Sequence, residues 1–247
     1  HYPLRRQRQM CIRDRCYGGN VNVFFMESII KLIFICQKNN IKCSFFHIPF
    51  ESLISRARNA CAAAFLKSNA THMIFIDSDI EFNANDVLKM LKCNVDLIGG
   101  SYPTKSLNLN KLQQNVKSGS LKDIISKSVM YTSKMFKSDI SEKNKSKIEC
   151  EYLATGFMLI KRNVFTSILE KHSNIKYTND IPAYEQCTVN NIMYDFFQTK
   201  IINNKYVSED YGFCNLWKST GGKVYTDLTV KLNHIGNFTY YGDPLLK

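Results

Sequence analysis

The chain has 247 residues, of which 45% are hydrophobic, and this size and composition fit one globular domain or one domain with an insert. The formal net charge of +12 is concentrated in two segments, residues 1–15 and 105–147, which hold five Arg against one Asp and ten Lys against three acidic residues. No run of about 18 uninterrupted apolar residues occurs, which excludes an ordinary membrane-spanning helix.

The first fifteen residues, HYPLRRQRQMCIRDR, differ in composition from the rest. They hold five of the eight Arg of the chain, whereas the remaining residues use 25 Lys and only three Arg. We expect residues 1–15 to be a non-native leader, with the native start and any native targeting signal missing, and residues 16–247 to form the domain.

The first half of the body alternates helical and strand patterns. Helices are predicted at residues 21–39, at residues 52–69 with Ser52 or Ser55 as cap, and from a cap at Asn83 or Asn85 to Cys93. Strands are predicted at residues 43–48, 72–77 and 95–98. This alternation predicts an α/β fold, and a continuous apolar run such as MIFI is typical of an inner parallel strand.

Residues 105–147 interrupt the alternation, because they are rich in Lys, Ser and Asn and contain no strong strand pattern. We expect an inserted loop that is mobile or partly helical. Beyond it we predict two strand pieces kinked at Thr155-Gly156 and a helix at residues 163–172 capped by Asn163. Further predictions are a strand near 193–197, a helix from Ser208 to about residue 220, and a strand at 223–227.

Nine cysteines are scattered along the chain, and none forms a Cys-x-x-Cys pair. Disulfide frameworks and zinc clusters both need tighter spacing. The pattern therefore indicates a reducing compartment and a cytoplasmic protein.

The clearest chemical signal is Asp77-Ser78-Asp79, at the end of a buried strand. Residues i and i+2 point to the same side there, so the two carboxylates can both stay ionised only beside a cation. A divalent ion that also binds phosphate oxygens fits this arrangement, at the sheet edge where ligands bind in α/β folds. The alternative is that Asp79 only caps or turns the chain.

Arg56, Arg58 and Asn59 form a second candidate site. Two of the three Arg in the body occur here, which suggests forked recognition of a phosphate, a base or a carboxylate. The alternative is an ion pair, for example with Asp79 or Glu81.

Three other motifs have both a chemical and a structural interpretation. Glu209-Asp210 opens a helix, where the helix dipole favours carboxylates and where a general base would be well placed. His234 is either a structural histidine or a third metal ligand, which would suit Mn²⁺ better than Ca²⁺. Gly18-Gly19 is either a plain turn or a backbone site for a phosphate or nucleoside.

The order of these motifs resembles that of GT-A-fold glycosyltransferases of the family-2-like superfamily, in particular short soluble enzymes of phages, giant viruses and bacteria. The resemblance covers residues 16–104 and 149–243. It is carried by seven segments: CYGGNVN, ESLISRARN, THMIFIDSDIEF, DLIGGSYP, EYLATGFMLIKR, VSEDYGFCNLWKSTGGKVYTD and LNHIGNFTYYGD.

The resemblance implies a single GT-A domain with a mixed, mostly parallel sheet flanked by helices and a variable insert at 105–147. It also assigns roles to residues. The donor would be bound by Tyr17, Gly18, Arg56, Arg58, Asn59 and Asp77. The metal, Mn²⁺ or Mg²⁺, would be held by Asp77, Asp79 and His234. The catalytic pair would be Glu209 and Asp210, with Thr155 and Gly156 on the acceptor side.

The implied function is metal-dependent transfer of a sugar from a nucleotide-sugar to a hydroxyl of a glycan, protein or lipid, by direct displacement with Asp210 as base. If the protein is viral, the reaction would take place in the host cytoplasm. Two departures stand out: the insert covers the region where acceptor loops vary, and a polar leader replaces the first strand of the family. A polar, Arg-rich stretch should make a poor central strand.

Two other functions are compatible with the sequence. An inactive GT-A-like binding module would keep the fold and lose the chemistry. A basic nucleic-acid-binding protein is disfavoured, because the charge lies in the leader and one loop and no aromatic residues interleave with it.

Overall fold

The computed structural model describes residues 9–16, 19–117, 119–136 and 146–246. The helices are α1 (Val23–Lys38), α2 (Ile54–Lys67), α3 (Ala84–Cys93), α4 (Leu109–Asn115), α5 (Leu121–Ser128), α6 (Arg162–Lys171) and α7 (Glu209–Ser219). The strands are β1 (Gln9–Cys16), β2 (Lys42–Pro49), β3 (His72–Ile76), β4 (Ile80–Phe82), β5 (Leu97–Gly99), β6 (Pro103–Leu107), β7 (Val129–Tyr131), β8 (Lys134–Met135), β9 (Ile148–Tyr152), β10 (Phe157–Lys161), β11 (Lys176–Thr178), β12 (Ile192–Tyr194), β13 (Lys200–Ile202), β14 (Lys205–Val207), β15 (Tyr225–Thr226), β16 (Leu232–Ile235) and β17 (Thr239–Tyr240). None of the described helices combines the length and apolarity that a membrane crossing requires.

The central sheet has eight strands in the order β2-β1-β3-β10-β5-β15-β9-β8. β1 pairs in parallel with β2 and β3, and β15 pairs in parallel with β5, whereas β9 and β10 run against their neighbours. Six strands therefore point the same way: β1, β2, β3, β5, β8 and β15. The predicted mixed, mostly parallel α/β fold is confirmed.

The direction of β10 decides what meets at one edge of the sheet. Because β10 is antiparallel to both β3 and β5, its first residue lies at the edge where those two strands end. The backbone carbonyl of Gly156 accepts a hydrogen bond from the Asp77 amide at 2.9 Å. The Asp77-Ser78-Asp79 turn and the Thr155-Gly156 kink, 78 residues apart in the chain, are thus neighbours.

Helices cover both faces of the sheet because the side chains of its inner strands alternate between two apolar clusters. Met73 and Phe75 of β3 face a cluster that includes residues of α2, α6 and α7. Ile74 and Ile76 face a second cluster that includes residues of α1 and α3. A continuous apolar strand is therefore buried on both sides, as the MIFI run predicted.

Helix positions follow the prediction more closely than helix caps do. Asn83 caps α3 by accepting a hydrogen bond from the Asn85 amide at 3.0 Å, as predicted. The predicted Ser caps of α2 are wrong, because the N-cap residue is Leu53, whose amide donates to Glu51 at 2.8 Å.

The predicted Asn163 cap of α6 is also wrong, because the helix begins one residue earlier, at Arg162. The Arg162 guanidinium donates to four backbone carbonyls at and beyond the end of α2. A long-range contact therefore fixes the start of this helix. The four acceptors are Phe65, Leu66, Ser68 and Ala70.

The Lys-rich segment 105–147 is partly helical, as expected, since it contains α4 and α5. The segment also contains strands, although its sequence has no strong strand pattern, because β6 pairs with β7 and β8 joins the central sheet. Ile125 and Val129 bury against Tyr240, an anchor that the polar composition of the segment conceals. Residues 118 and 137–145 lie outside the described part of the chain.

The Arg-rich start of the chain also differs from expectation. Gln9–Cys16 forms β1 in the interior of the sheet, where Met10, Cys11 and Ile12 are buried. The short apolar run MCI supplies this buried part, so the expectation of a poor central strand is wrong for these residues. The proposed non-native origin of residues 1–15 stays a prediction.

The aromatic cluster beneath α7 yields a test of the core. Phe197 is fully buried and stacks on Phe213 at 4.5 Å between ring centroids. We expect Phe197→Ala to lower the free energy of unfolding by about 4 kcal/mol, because it leaves a cavity among rigid rings. Phe34→Ala on α1, where the ring is 59% exposed, should change it by less than about 1 kcal/mol. Urea unfolding measures both, and equal losses would contradict this account.

Candidate active site

The Asp77-Ser78-Asp79 turn is held by backbone hydrogen bonds on two sides. It connects β3 to β4, and β4 pairs with β16 so that His234 lies opposite Ile80. The amide of Ile235 donates to the Asp79 carbonyl at 2.8 Å, and the amide of Asp77 donates to Gly156. This pairing brings Asp79 and His234, far apart in sequence, to the same place.

His234 is oriented by the backbone of β6. Its Nδ1 lies 2.8 Å from the carbonyl oxygen of Pro103, which can only accept, so Nδ1 carries a proton. The other ring nitrogen, Nε2, lies 3.4 Å from Oδ2 of Asp79. A lone pair on Nε2 can face this carboxylate only if a proton or a metal cation lies between them.

Asp79 is a carboxylate with two cationic or polar neighbours. Burial raises its pKa, but the hydrogen bonds and charges of His234 and Lys105 outweigh this effect and bring the pKa to about 2. Lys105 Nζ contacts Oδ2 at 2.5 Å. The Asp79 carboxylate is therefore negatively charged near neutral pH and can bind a cation.

The predicted metal ligands do not come together as a group of three. Oδ1 of Asp77 lies 3.8 Å from the Arg58 guanidinium, whereas the carboxylate of Asp79 contacts Lys105 and His234. The described residues contain no cluster of three or more His, Cys, Asp or Glu side chains that could hold a metal ion. Asp79 and His234 do fit a divalent ion as a pair, with phosphate and water oxygens as its remaining ligands.

Arg58 joins the two acidic motifs. Its side chain is only 7% exposed, and its guanidinium forms an ion pair with Glu209 and approaches Asp77. A buried guanidinium must be paired, so this contact ties α2 to the β3–β4 turn and to the first turn of α7. The partners of Arg58 are therefore neither Asp79 nor Glu81, the two suggested by the structural alternative.

Arg56 and Asn59 face other partners. Arg56 binds both carboxylate oxygens of Glu51, at 2.7 and 2.8 Å, and Asn59 donates to Asp195 at 2.8 Å. Both residues line a cleft of about 510 Å³ together with Tyr177. The lining of this cleft includes none of the acidic residues of the two motifs, and the predicted donor-binding roles of Arg56 and Asn59 stay predictions.

Asp210 lies half-buried at the second position of α7. Its Oδ1 accepts hydrogen bonds from the Tyr211 amide, at 2.8 Å, and from the Ser208 hydroxyl. Ser208 occupies the predicted cap position but bonds to this carboxylate instead of the helix backbone. The first turn of α7 thus fixes one oxygen of Asp210, and this sets the orientation of the carboxylate.

Gly156 lies where any side chain would clash with its neighbours. A Cβ atom there would lie 2.4 Å from the Tyr102 hydroxyl and 2.6 Å from Oδ2 of Asp77. Thr155 beside it is fully buried, and its hydroxyl has no hydrogen-bond partner among the described residues. The glycine therefore lets the start of β10 form a backbone hydrogen bond with the Asp77-Ser78-Asp79 turn, which we call the acidic turn.

Two residues of this site escaped the sequence analysis. Tyr102 is buried, and burial together with the charge of Asp77 raises its pKa well above the usual value. Its only sequence signal is its place after Gly99-Gly100-Ser101 at the end of β5. Lys105 was hidden among the ten Lys of segment 105–147, where composition cannot single out one ammonium group. Tyr17 and Gly18, by contrast, lie outside the described residues.

Comparison with known proteins gives matches to solved structures only. No protein-family model matches the chain, and no curated protein matches it. A glycosyltransferase involved in the glycosylation of the major capsid of PBCV-1 is 10% identical over 70% of this chain and 68% of its own, with a TM-score of 0.31. Residues 1–349 of S. aureus TarS, in complex with UDP-GlcNAc, are 12% identical over 68% of this chain and 48% of theirs, with a TM-score of 0.34.

A third solved structure is a proposed glucose-1-phosphate thymidylyltransferase from Bacillus anthracis in complex with sucrose. It is 10% identical over 91% of this chain and 89% of its own, with a TM-score of 0.39. The TM-scores of all three structures lie below 0.5.

The role of Arg58 can be tested by removing its charge. We expect Arg58→Met to lower the free energy of unfolding by about 3 kcal/mol, because Glu209 and Asp77 then face each other without a cation. The control is Lys223→Met, which removes an exposed pair with Glu149 and should cost less than about 1 kcal/mol. If urea unfolding gives the same loss for both variants, Arg58 does not hold the site together.

The Glu51 carboxylate predicts a pH dependence. Burial raises its pKa, but hydrogen bonds from Arg56, Tyr184 and the Leu53 amide outweigh this and lower the pKa to about 2. A depressed pKa stabilises the fold above the unfolded value of about 4.3, and this contribution is lost as the pH falls towards 2. The stability difference between wild type and Glu51→Gln should therefore be largest near neutrality and shrink between pH 4.5 and the acid limit of folding.

Chemical unfolding at pH 7, 4.5 and 3.5 measures this difference. Glu149→Gln serves as the control, because the Glu149 side chain is 38% exposed and forms an ion pair with the exposed Lys223. Its stability difference should stay near zero throughout. A Glu51→Gln difference that is independent of pH would contradict the prediction.

Proposed function

We propose that this protein is a metal-dependent glycosyltransferase that moves a sugar from a nucleotide-sugar to an acceptor hydroxyl. The proposal rests on one observation. Two acidic motifs about 130 residues apart meet at the edge where β3 and β5 end, joined by the Arg58 guanidinium, with His234 beside Asp79. Such a site can bind a diphosphate through a metal and also offer a carboxylate to an acceptor.

The metal would be held by Asp79 and His234. An imidazole among the ligands suits Mn²⁺, and Mg²⁺ is the alternative. When bound, the ion neutralises the charge that develops on the leaving nucleoside diphosphate. The Pro103 carbonyl contributes by keeping the Nε2 lone pair of His234 directed at this position.

The nucleotide would lie beside the β3–β4 turn. Asp77 would accept hydrogen bonds from the ribose hydroxyls, with the Arg58 guanidinium beside its carboxylate. Tyr17 and Gly18 would line the same pocket. This arrangement separates the two aspartates by task, which fits their different partners in the structure.

Asp210 would act as the base. Its Oδ1 is fixed by two hydrogen bonds, so the carboxylate keeps one orientation. The acceptor oxygen would bond to the anomeric carbon as the bond from that carbon to the diphosphate oxygen breaks, and Asp210 would take the hydroxyl proton. Glu209 would support this geometry by holding Arg58.

The acceptor would approach from the side of Thr155 and Gly156, and a glycan, a protein and a lipid all present suitable hydroxyls. We propose a cytoplasmic location, which the scattered cysteines support. A catalytically inactive binding module is the alternative, and a measurement of sugar transfer distinguishes it from an enzyme.

Two variants separate binding from catalysis. Thermal unfolding of the wild type is measured with UDP, GDP, CMP and UDP-sugars, with and without Mn²⁺, and stabilisation should require both a nucleotide and the metal. Asp79→Asn should lose this stabilisation. Asp210→Asn should keep it, while the transfer rate falls by about 10²- to 10⁴-fold.

Asp96→Asn is a matched control, since Asp96 pairs with Lys161 in a different part of the molecule, and should behave as wild type. Full turnover by Asp210→Asn would remove its role as base. The absence of stabilisation by every nucleotide and metal pair would overturn the donor site itself.

A further inference from the structure

Lys105 occupies the position where a metal ion would bind. It lies on β6, its side chain is 36% exposed, and its Nζ is 2.5 Å from Oδ2 of Asp79. The stem of the side chain passes over Gly236, where an added Cβ would lie 3.1 Å from its Cδ. The same carboxylate oxygen faces Nε2 of His234 at 3.4 Å.

A metal ion held between Asp79 and His234 would compete with the Lys105 ammonium group for this oxygen. A divalent ion bound by Asp79 and His234 would have to sit against Oδ2, at the contact that Nζ now makes. Two cations within a few ångströms of each other repel strongly at a partly buried site. This repulsion favours the departure of Lys105 from Asp79 when the metal binds, and a partly exposed, flexible side chain can move away.

β6 supplies both partners of this arrangement. The Pro103 carbonyl orients His234, and two residues later Lys105 neutralises Asp79 from the same strand. The strand is held against β7 and β16, so the released ammonium stays near the site. The nearest strong anion for it would be the diphosphate of the donor.

We propose that Lys105 competes with the divalent metal for Asp79 and passes its charge to the donor diphosphate once the metal is bound. The inference rests on the proposed function, since it needs the Asp79–His234 metal position. Its consequence is that the metal binds weakly to the free protein and more tightly with a nucleoside diphosphate. By linkage, the metal strengthens nucleotide binding by the same factor.

A purely structural ion pair would predict the opposite sign. If Lys105 only pins β6 to the acidic turn, its removal loosens the site and leaves metal affinity equal or weaker. If Lys105 competes, its removal frees the carboxylate and the metal binds more tightly. The direction of the change therefore decides between the two accounts.

The experiment is a Mn²⁺ titration of the full chain, with free Mn²⁺ followed by its electron paramagnetic resonance signal. Without nucleotide, Lys105→Met should bind Mn²⁺ about five- to tenfold more tightly than wild type. Methionine keeps the stem over Gly236 and removes only the charge. Lys223→Met, which removes an exposed lysine paired with Glu149, should bind as wild type.

The titration is repeated with UDP and with GDP. The nucleotide that stabilises the protein should raise the Mn²⁺ affinity of wild type by a larger factor than that of Lys105→Met. Thermal unfolding confirms that each variant is folded, and Lys105→Gln is used in the same way if the Met variant is not.

Asp79→Asn distinguishes the two ways in which the experiment can fail. If Asp79→Asn abolishes Mn²⁺ binding but Lys105→Met does not tighten it, the competition is wrong and the proposed metal site stands. If Mn²⁺ binding is absent, or is unaffected by Asp79→Asn, the metal site is wrong and the inference falls with it.

Discussion

The contact of the Arg58 guanidinium with Glu209 and Asp77 is the interaction on which the geometry of this site depends. Several carboxylates converge on one sheet edge, and such a gathering is stable only if cations lie among them. Arg58 is almost fully buried, so it cannot rely on water and must keep its partners. The start of α7 is thereby placed against the end of β3, and Asp210 with it.

The second constraint is the close approach of β10 to the acidic turn. A glycine is required at position 156, because both Tyr102 and Asp77 lie where a side chain would begin. The antiparallel direction of β10 sends its first residues to the edge where β3 and β5 end. Backbone pairing, and not side-chain contact alone, therefore sets the spacing of the functional groups.

The site contains two kinds of cation. Arg58 is buried, paired on two sides and fixed, which suits a group that maintains architecture. Lys105 is partly exposed, bound to a single oxygen and carried on a flexible stem, which suits a charge that is exchanged during binding. The difference in burial, more than the difference in residue type, suits Arg58 to a fixed structural contact and Lys105 to a contact that is exchanged.

The sequence by itself determined the local structure and the kind of chemistry. Apolar periodicity located α1, an Asn cap located α3 and a continuous apolar run located β3, because each signal lies within a contiguous stretch. Asp77-Ser78-Asp79 indicated an anionic site. Only the tertiary structure decided which cation meets which carboxylate, where β10 enters the sheet, and which lysine of segment 105–147 matters. These choices come from pairing between residues far apart in the chain, and local periodicity carries no information about such pairing. The start of α6 and the strand at Gln9–Cys16 were missed for the same reason, since long-range contacts fix both.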